Sequence, residues 1–131
     1  MSPHQNILKY NTVIFDMDGC LIDSIEVQRL SLEAALSKTN IKFTQKTFET
    51  FLSYTGDSLE NIFRKMNIPL QCCKSFREAS CKNVTLIKPN DELITVLKKI
   101  KESGCKICIC SGKDHYRIIQ VLEHLDIEKY F

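Results

Sequence analysis

The chain alternates between two kinds of hydrophobic pattern. Residues 12–15 and 107–110 are short apolar, β-branched runs with no polar alternation, the pattern of strands buried on both faces of a parallel sheet. Between and after them the apolar positions recur at helical spacing. Leu93, Val96, Leu97 and Ile100 form one face, preceded by Asn90 as a cap with Asp91 and Glu92 in the first turn, and followed by lysines and the stop signal Gly104. Helix, glycine and buried strand make the second half of a βαβ unit. A further helix starts near Asp114, with Ile118, Ile119, Leu122 and Leu125 on its apolar face.

Residues 24–88 differ in character. Their spacing predicts helices over 25–37, 45–54, 57–66 and 70–83, punctuated by Thr55–Gly56 and Pro69, and no convincing strand. The organisation expected is α/β: a parallel core from residues 1–23 and 89–131, interrupted by an all-helical insertion over 24–88.

Composition narrows the class. With 131 residues, 44% apolar and 26% charged, the chain is a globular domain of ordinary make-up. A net charge of +2 with dispersed lysines argues against nucleic acid. No apolar run is long enough for a bilayer, and the polar start lacks the apolar centre of a signal peptide, so export is not expected. Seven cysteines, an odd number, suggest free thiols in a reducing, cytoplasmic setting. Cys105 and Cys108 spell C-x-x-C, but in a strand they face opposite sides, and no second pair completes a zinc site. Buried free cysteine is the preferred reading.

The chemistry concentrates in "VIFDMDGCLIDS", residues 13–24. Asp16 and Asp18 stand at the carboxyl end of the first strand, and Ser111 and Gly112 at that of the second. Ligands of parallel α/β sheets bind beyond those ends. Paired carboxylates favour a hard cation such as Mg²⁺, Gly19 allows close backbone approach, and a Ser-Gly turn opening a helix suits an anion. Together they suggest phosphoryl chemistry, against the plainer alternative of two turn aspartates after a strand. EF-hand, Walker and dinucleotide motifs fail on spacing.

"FDMDGCLIDS" resembles the first motif of the haloacid dehalogenase-like hydrolases, D-x-D-G-x-L-x-D-[ST] after an apolar strand, and "ICICSGKD" resembles the second, an apolar strand ending in Ser or Thr. The helical insertion and "YTGDSLENIF" look like the cap and specificity loop of the phosphoglycolate phosphatase and β-phosphoglucomutase branch. The resemblance implies a Rossmann-like core with a helical cap and a Mg²⁺-dependent phosphatase of a small phosphorylated metabolite. Asp16 would be the nucleophile, forming an aspartyl-phosphate, and Asp18 the general acid and base. Mg²⁺ would sit on the Asp16 carboxylate and the Asp18 backbone carbonyl. Ser111, the Gly112 N–H and N–H groups around Gly19 would hold the phosphoryl oxygens. Thr55 and Gly56 would reach the substrate from the cap, and Asp23 would order the hinge. Lys113 reads as a solvated lysine, with a phosphate contact as the alternative, and His115 and His124 as helix-surface residues.

The family's later lysine and later acidic pair have no counterpart among these 131 residues, although "IEKYF" falls where a third core strand is expected to begin. Two alternatives to a phosphatase therefore stand: a phosphosugar mutase, which needs another cap group, and a catalytically incomplete fragment or homologue. A core of two parallel strands would have a bare edge, which favours self-association.

Overall fold

A computed structural model describes residues 10–90 and 92–131. Its core is a two-stranded parallel sheet. Strand β1 (Thr12–Phe15) pairs with β4 (Lys106–Ile109) in the register Thr12↔Lys106 to Phe15↔Ile109. Helices α5 (Leu93–Glu102) and α6 (His115–His124) flank β4 in sequence. Leu97, Ile107, Val121, Leu122 and Ile127 pack with Met17, Leu21 and Ile22 into one apolar cluster.

The segment between Asp23 and Lys88 holds helices α1 (Ile25–Leu36), α2 (Gln45–Ser53), α3 (Leu59–Lys65) and α4 (Cys72–Lys82). They close on a second apolar cluster that runs from Leu32 to Phe76. Thr44 and Ser58 cap α2 and α3 through their side-chain oxygens, satisfying N–H groups that the first turn leaves without partners. The centre is aromatic: fully buried Phe63 meets Phe76 edge-on at 5.9 Å, and Phe76 lies 5.5 Å from Phe51. Phe63→Ala is expected to cost about 3–5 kcal/mol, read as a lowered urea midpoint with unchanged slope.

The chain passes between the two clusters twice, and the crossings pair. Ile22–Asp23 (β2) and Lys88–Pro89 (β3) form a short antiparallel ladder. These strands were not expected from the sequence, because two residues are too few to show a period.

Other expectations need correction. The first strand is not buried on both faces. Ile14 is 66% exposed and its register partner Cys108 is also exposed, because no other described element covers that face. Val96 on α5 is exposed too. Asn90 does not cap α5. Its side-chain amide donates to the Cys20 carbonyl, and Glu92, with φ of 62°, occupies the cap position. Asp91 and the polar start over 1–9 lie outside the described residues. Residues Glu128–Tyr130 form a 3₁₀ turn in place of a strand. All seven cysteines are free, but only Cys72, Cys73 and Cys105 are buried, so the buried reading fails for the exposed Cys20, Cys108 and Cys110. No described helix is long and apolar enough to cross a membrane.

Candidate functional site

β1 ends at Phe15, and the next residues turn immediately. The Met17 carbonyl accepts from the N–H groups of Cys20, Leu21 and Ile22, winding a tight turn that carries Asp18 at its side. Gly19 makes this turn feasible with φ of 78°, a conformation costly for residues with a Cβ. Its N–H is spent on the Ile22 carbonyl at 3.0 Å. On the neighbouring strand the turn Ser111–Gly112–Lys113 follows β4. The Ser111 Oγ accepts from the Lys113 N–H at 3.1 Å, and the Gly112 N–H has no partner among the described residues.

A pocket of about 70 Å³ forms where these turns face the helical segment. It is lined by Asp16, Asp18, Ser111 and Gly112 from the sheet ends and by Thr55 and Gly56 from the loop after α2. Six of the eight residues singled out in the sequence thus line one pocket. Gly19 and Asp23 do not. Asp23 accepts from the Ile25 N–H at 3.2 Å and sits at the start of α1.

The loop touches the sheet end closely. A Cβ built on Gly112 would lie 2.3 Å from the Asp57 carbonyl oxygen and 2.9 Å from that of Gly56. Only a residue without a side chain fits there. The Asp57 carboxylate is turned away into α3. The Asn61 amide, the Lys65 ammonium and the Ser58 N–H hold its carboxyl down at about 2.

Asp18 is held on one oxygen. Its Oδ1 accepts from the Ser24 hydroxyl at 2.6 Å and from Lys113 Nζ at 3.0 Å. Gln28 donates in turn to Ser24 at 2.8 Å. The Lys113 side chain is only 8% exposed, so it is not a solvated surface lysine. The Asp18 carboxylate pairs its head. Asp16, by contrast, is exposed, and its Oδ1 accepts only from the N–H of Met17, at 2.8 Å, among the described residues. His115 and His124 are both exposed, as their helix positions suggested.

A chain of ion pairs crosses from the helical segment to the sheet side. Arg77 on α4 contacts Glu60 at 2.5 Å and grips Asp114 with two bonds of 2.7 and 2.9 Å. Arg117 on α6 shares Asp114 at 2.7 Å and donates to Ser80 on α4 at 3.2 Å. Burial pushes Asp114 up, but the hydrogen bonds of Arg77 and Arg117 outweigh it and hold the carboxyl below the usual range. The hydrogen bond from Arg77 lowers Glu60 likewise. A carboxyl depressed in the folded state stabilises the fold above its unfolded value, about 4, and that stability is lost as pH falls through the folded value. The thermal midpoint is therefore expected to drop below about pH 4. Asp114→Asn should flatten that drop while lowering the midpoint at neutral pH.

Sequence reasoning missed Ser24, Gln28 and Arg117 and misread Lys113. A signal existed for Arg117: it lies four residues before Val121, in phase with the buried face of α6.

A parallel α/β sheet that gathers carboxylates and a hydroxyl beyond its carboxyl ends defines a class of proteins that bind ligands at this edge. The chain belongs to the haloacid dehalogenase-like hydrolase family, whose model matches residues 13–131. It is 26% identical over 123 residues to a phosphoglycolate phosphatase of Aquifex aeolicus, covering 91% of this chain and 57% of that one. It is 25% identical over 133 residues to the pyrophosphatase PpaX of Oceanobacillus iheyensis, covering 95% and 58%. The crystal structure of a predicted phosphatase from Clostridium acetobutylicum superposes with a TM-score of 0.81 at 26% identity, covering 93% of this chain and 58% of that one. The chain thus spans less than two thirds of the length of these relatives.

Proposed function

We propose that this chain is a Mg²⁺-dependent phosphatase acting on a small phosphorylated metabolite, with Asp16 as its nucleophile. The observation that carries the reading is the single pocket shared by Asp16, Asp18, Ser111, Gly112, Thr55 and Gly56. Residues up to 23 and from 89 form the incomplete Rossmann-like core in this reading, and 24–88 the cap. Two relatives whose names specify phosphoglycolate and pyrophosphate as substrates support it.

Exposed Asp16 attacks the phosphorus while the ester or anhydride P–O bond breaks, leaving a phosphoryl group on its carboxylate. Ser24 and Lys113 both hold Asp18 by Oδ1, so Oδ2 is the oxygen left to protonate the leaving group. The same carboxylate then takes a proton from the water that hydrolyses the aspartyl-phosphate. The Ser111 hydroxyl and the Gly112 N–H hold phosphoryl oxygens.

The donor set fits Mg²⁺ as a site of few protein ligands. No group of three or more His, Cys, Asp or Glu converges among the described residues. Mg²⁺ is content with one or two protein oxygens completed by water and phosphate. Lys113 and Ser24 hold the Asp18 Oδ1 and its Oδ2 is assigned to the leaving group, so the Asp16 carboxylate and the Asp18 carbonyl would be the donors. The ion, when bound, neutralises charge on the phosphoryl oxygens.

The free thiols support a reducing, cytoplasmic setting. The β1 edge, unpaired on its far side among the described residues, supports self-association, which light scattering would read.

The test is phosphate release from an aryl phosphate by the purified chain, with Mg²⁺ and with chelator. Release that requires the metal supports the proposal. No release from folded chain overturns it for these 131 residues and leaves the catalytically incomplete reading.

A further inference from the structure

We infer that Lys113 is a positioning residue for Asp18: its ammonium pins Oδ1, so that the proton Asp18 gives to the leaving group is carried on Oδ2. The inference rests on the phosphatase reading above and adds a residue that acts through Asp18, in place of a contact with phosphate.

Lys113 is anchored at both ends. Its N–H donates to the Ser111 Oγ at 3.1 Å, which fixes the backbone of the turn after β4 and leaves the Ser111 hydroxyl hydrogen free to donate. Its Nζ reaches back across 95 residues to Asp18 Oδ1 at 3.0 Å. The side chain is 8% exposed. Withdrawing an ammonium from water is costly unless a counter-charge meets it, and ordering so long a stem adds to that cost. Asp18 is the carboxylate that meets it, in the one ion pair Lys113 makes among the described residues. No hydrogen bond joins Lys113 to Asp16 among those residues, where Asp16 accepts only from the Met17 N–H. A lysine serving the nucleophile would stand at Asp16.

The second donor to Asp18 is also oriented. Ser24 Oγ accepts from Gln28 Nε2 at 2.8 Å, so the Ser24 hydrogen is turned to Asp18 Oδ1 at 2.6 Å. Two donors thus converge on one oxygen. A carboxyl proton on Oδ1 would face both of them, and on Oδ2 it faces neither. A half-turn of the carboxyl would exchange the oxygens, and the two bonds oppose that turn. The bond from Lys113 is ionic on both sides, a class about twice as strong as neutral pairs. Its loss leaves Ser24 alone to hold the carboxyl.

The test is the ratio of kcat/KM for 4-nitrophenyl phosphate to kcat/KM for phenyl phosphate, measured with Mg²⁺ in the full chain and in Lys113→Met. The esters share a ring, but nitrophenoxide departs without a proton and phenoxide needs one. The parameter kcat/KM reports the steps up to phosphoryl transfer onto Asp16, so the later action of Asp18 on water does not enter. In Lys113→Met the ratio should rise about tenfold, part of the roughly 10²–10⁴-fold that a positioned acid supplies. Ser24→Ala should move it in the same direction. The ratio is insensitive to a partly unfolded sample, since both esters report on the same folded fraction. If Lys113→Met does not fold, Lys113→Gln, one atom shorter and still polar, replaces it. A ratio within about threefold of the parent overturns the positioning role and leaves the phosphatase reading standing. Calorimetry of inorganic phosphate with Mg²⁺ then says what Lys113 is instead: weaker binding in the variant makes it a phosphate contact, and unchanged binding a purely structural pair. No metal-dependent release of either phenol by the parent chain overturns both the phosphatase reading and this assignment.

Discussion

Asp16→Asn is expected to abolish metal-dependent phosphate release, by about 10⁴-fold or more, as removal of a nucleophile does elsewhere. The substitution is close to isosteric. The one hydrogen bond that Asp16 makes among the described residues is accepted from the Met17 N–H, and an amide oxygen accepts it equally well. The turn after β1 should therefore survive, with an unchanged thermal midpoint. What would disappear is the anionic oxygen proposed to attack phosphorus and to help hold the cation. Two readouts check this: the rate of release from an aryl phosphate, and acid-quenched mass spectrometry for a phosphoryl adduct on residue 16. A variant within tenfold of the parent would remove Asp16 from the nucleophile's role.

Gly112→Ala should cost about 10²-fold in kcat/KM, the scale of a displacement near 1 Å at a reacting centre. The added methyl would stand 2.3 Å from the Asp57 carbonyl oxygen, which is backbone and cannot rotate away. Either the loop over 55–57 withdraws or the turn after β4 shifts, and each movement separates Thr55 and Gly56 from Asp16. Stability should change less, since a loop that lifts relieves the overlap. A cost of about 1–3 kcal/mol is the range for overpacking in a tight interior. Hydrogen exchange at Gly56 and Asp57 should quicken in the variant. Activity within threefold of the parent would mean that the closed contact plays no part in turnover.

Much of this architecture could be read from the sequence, and the reasons are local. Helices α1 to α6 announce themselves through apolar spacing, and Thr44 and Ser58 cap two of them as their side chains favour. The acidic pair was legible because the residues around Asp16 and Asp18 constrain the backbone tightly: an apolar strand before, Gly19 within, Asp23 and Ser24 after. Burial was less legible, because it depends on what lies across from a residue. Ile14 looks like interior by composition, yet it faces outward where the sheet has only two described strands. Lys113 and Arg117 look like surface, yet the Lys113 side chain is withdrawn beside Asp18 and Arg117 is buried against Ser80 and Phe76 of the helical segment. The two-residue strands β2 and β3 carry no period to detect, and only their pairing reveals them.

The distribution of contacts along the chain also sets an order of assembly. The second apolar cluster draws on residues between Leu32 and Phe76, near neighbours in the chain. The contact of Lys113 with Asp18 joins residues 95 apart, and β1 meets β4 across a similar span. Loop-closure entropy opposes such distant meetings until intervening chain has condensed. The four helices are thus expected to gain amide protection before the sheet does in pulse-labelled refolding. The proposed catalytic mouth would be the last part to form and the first to be lost under stress, so any activity would fail while most of the helical signal persists.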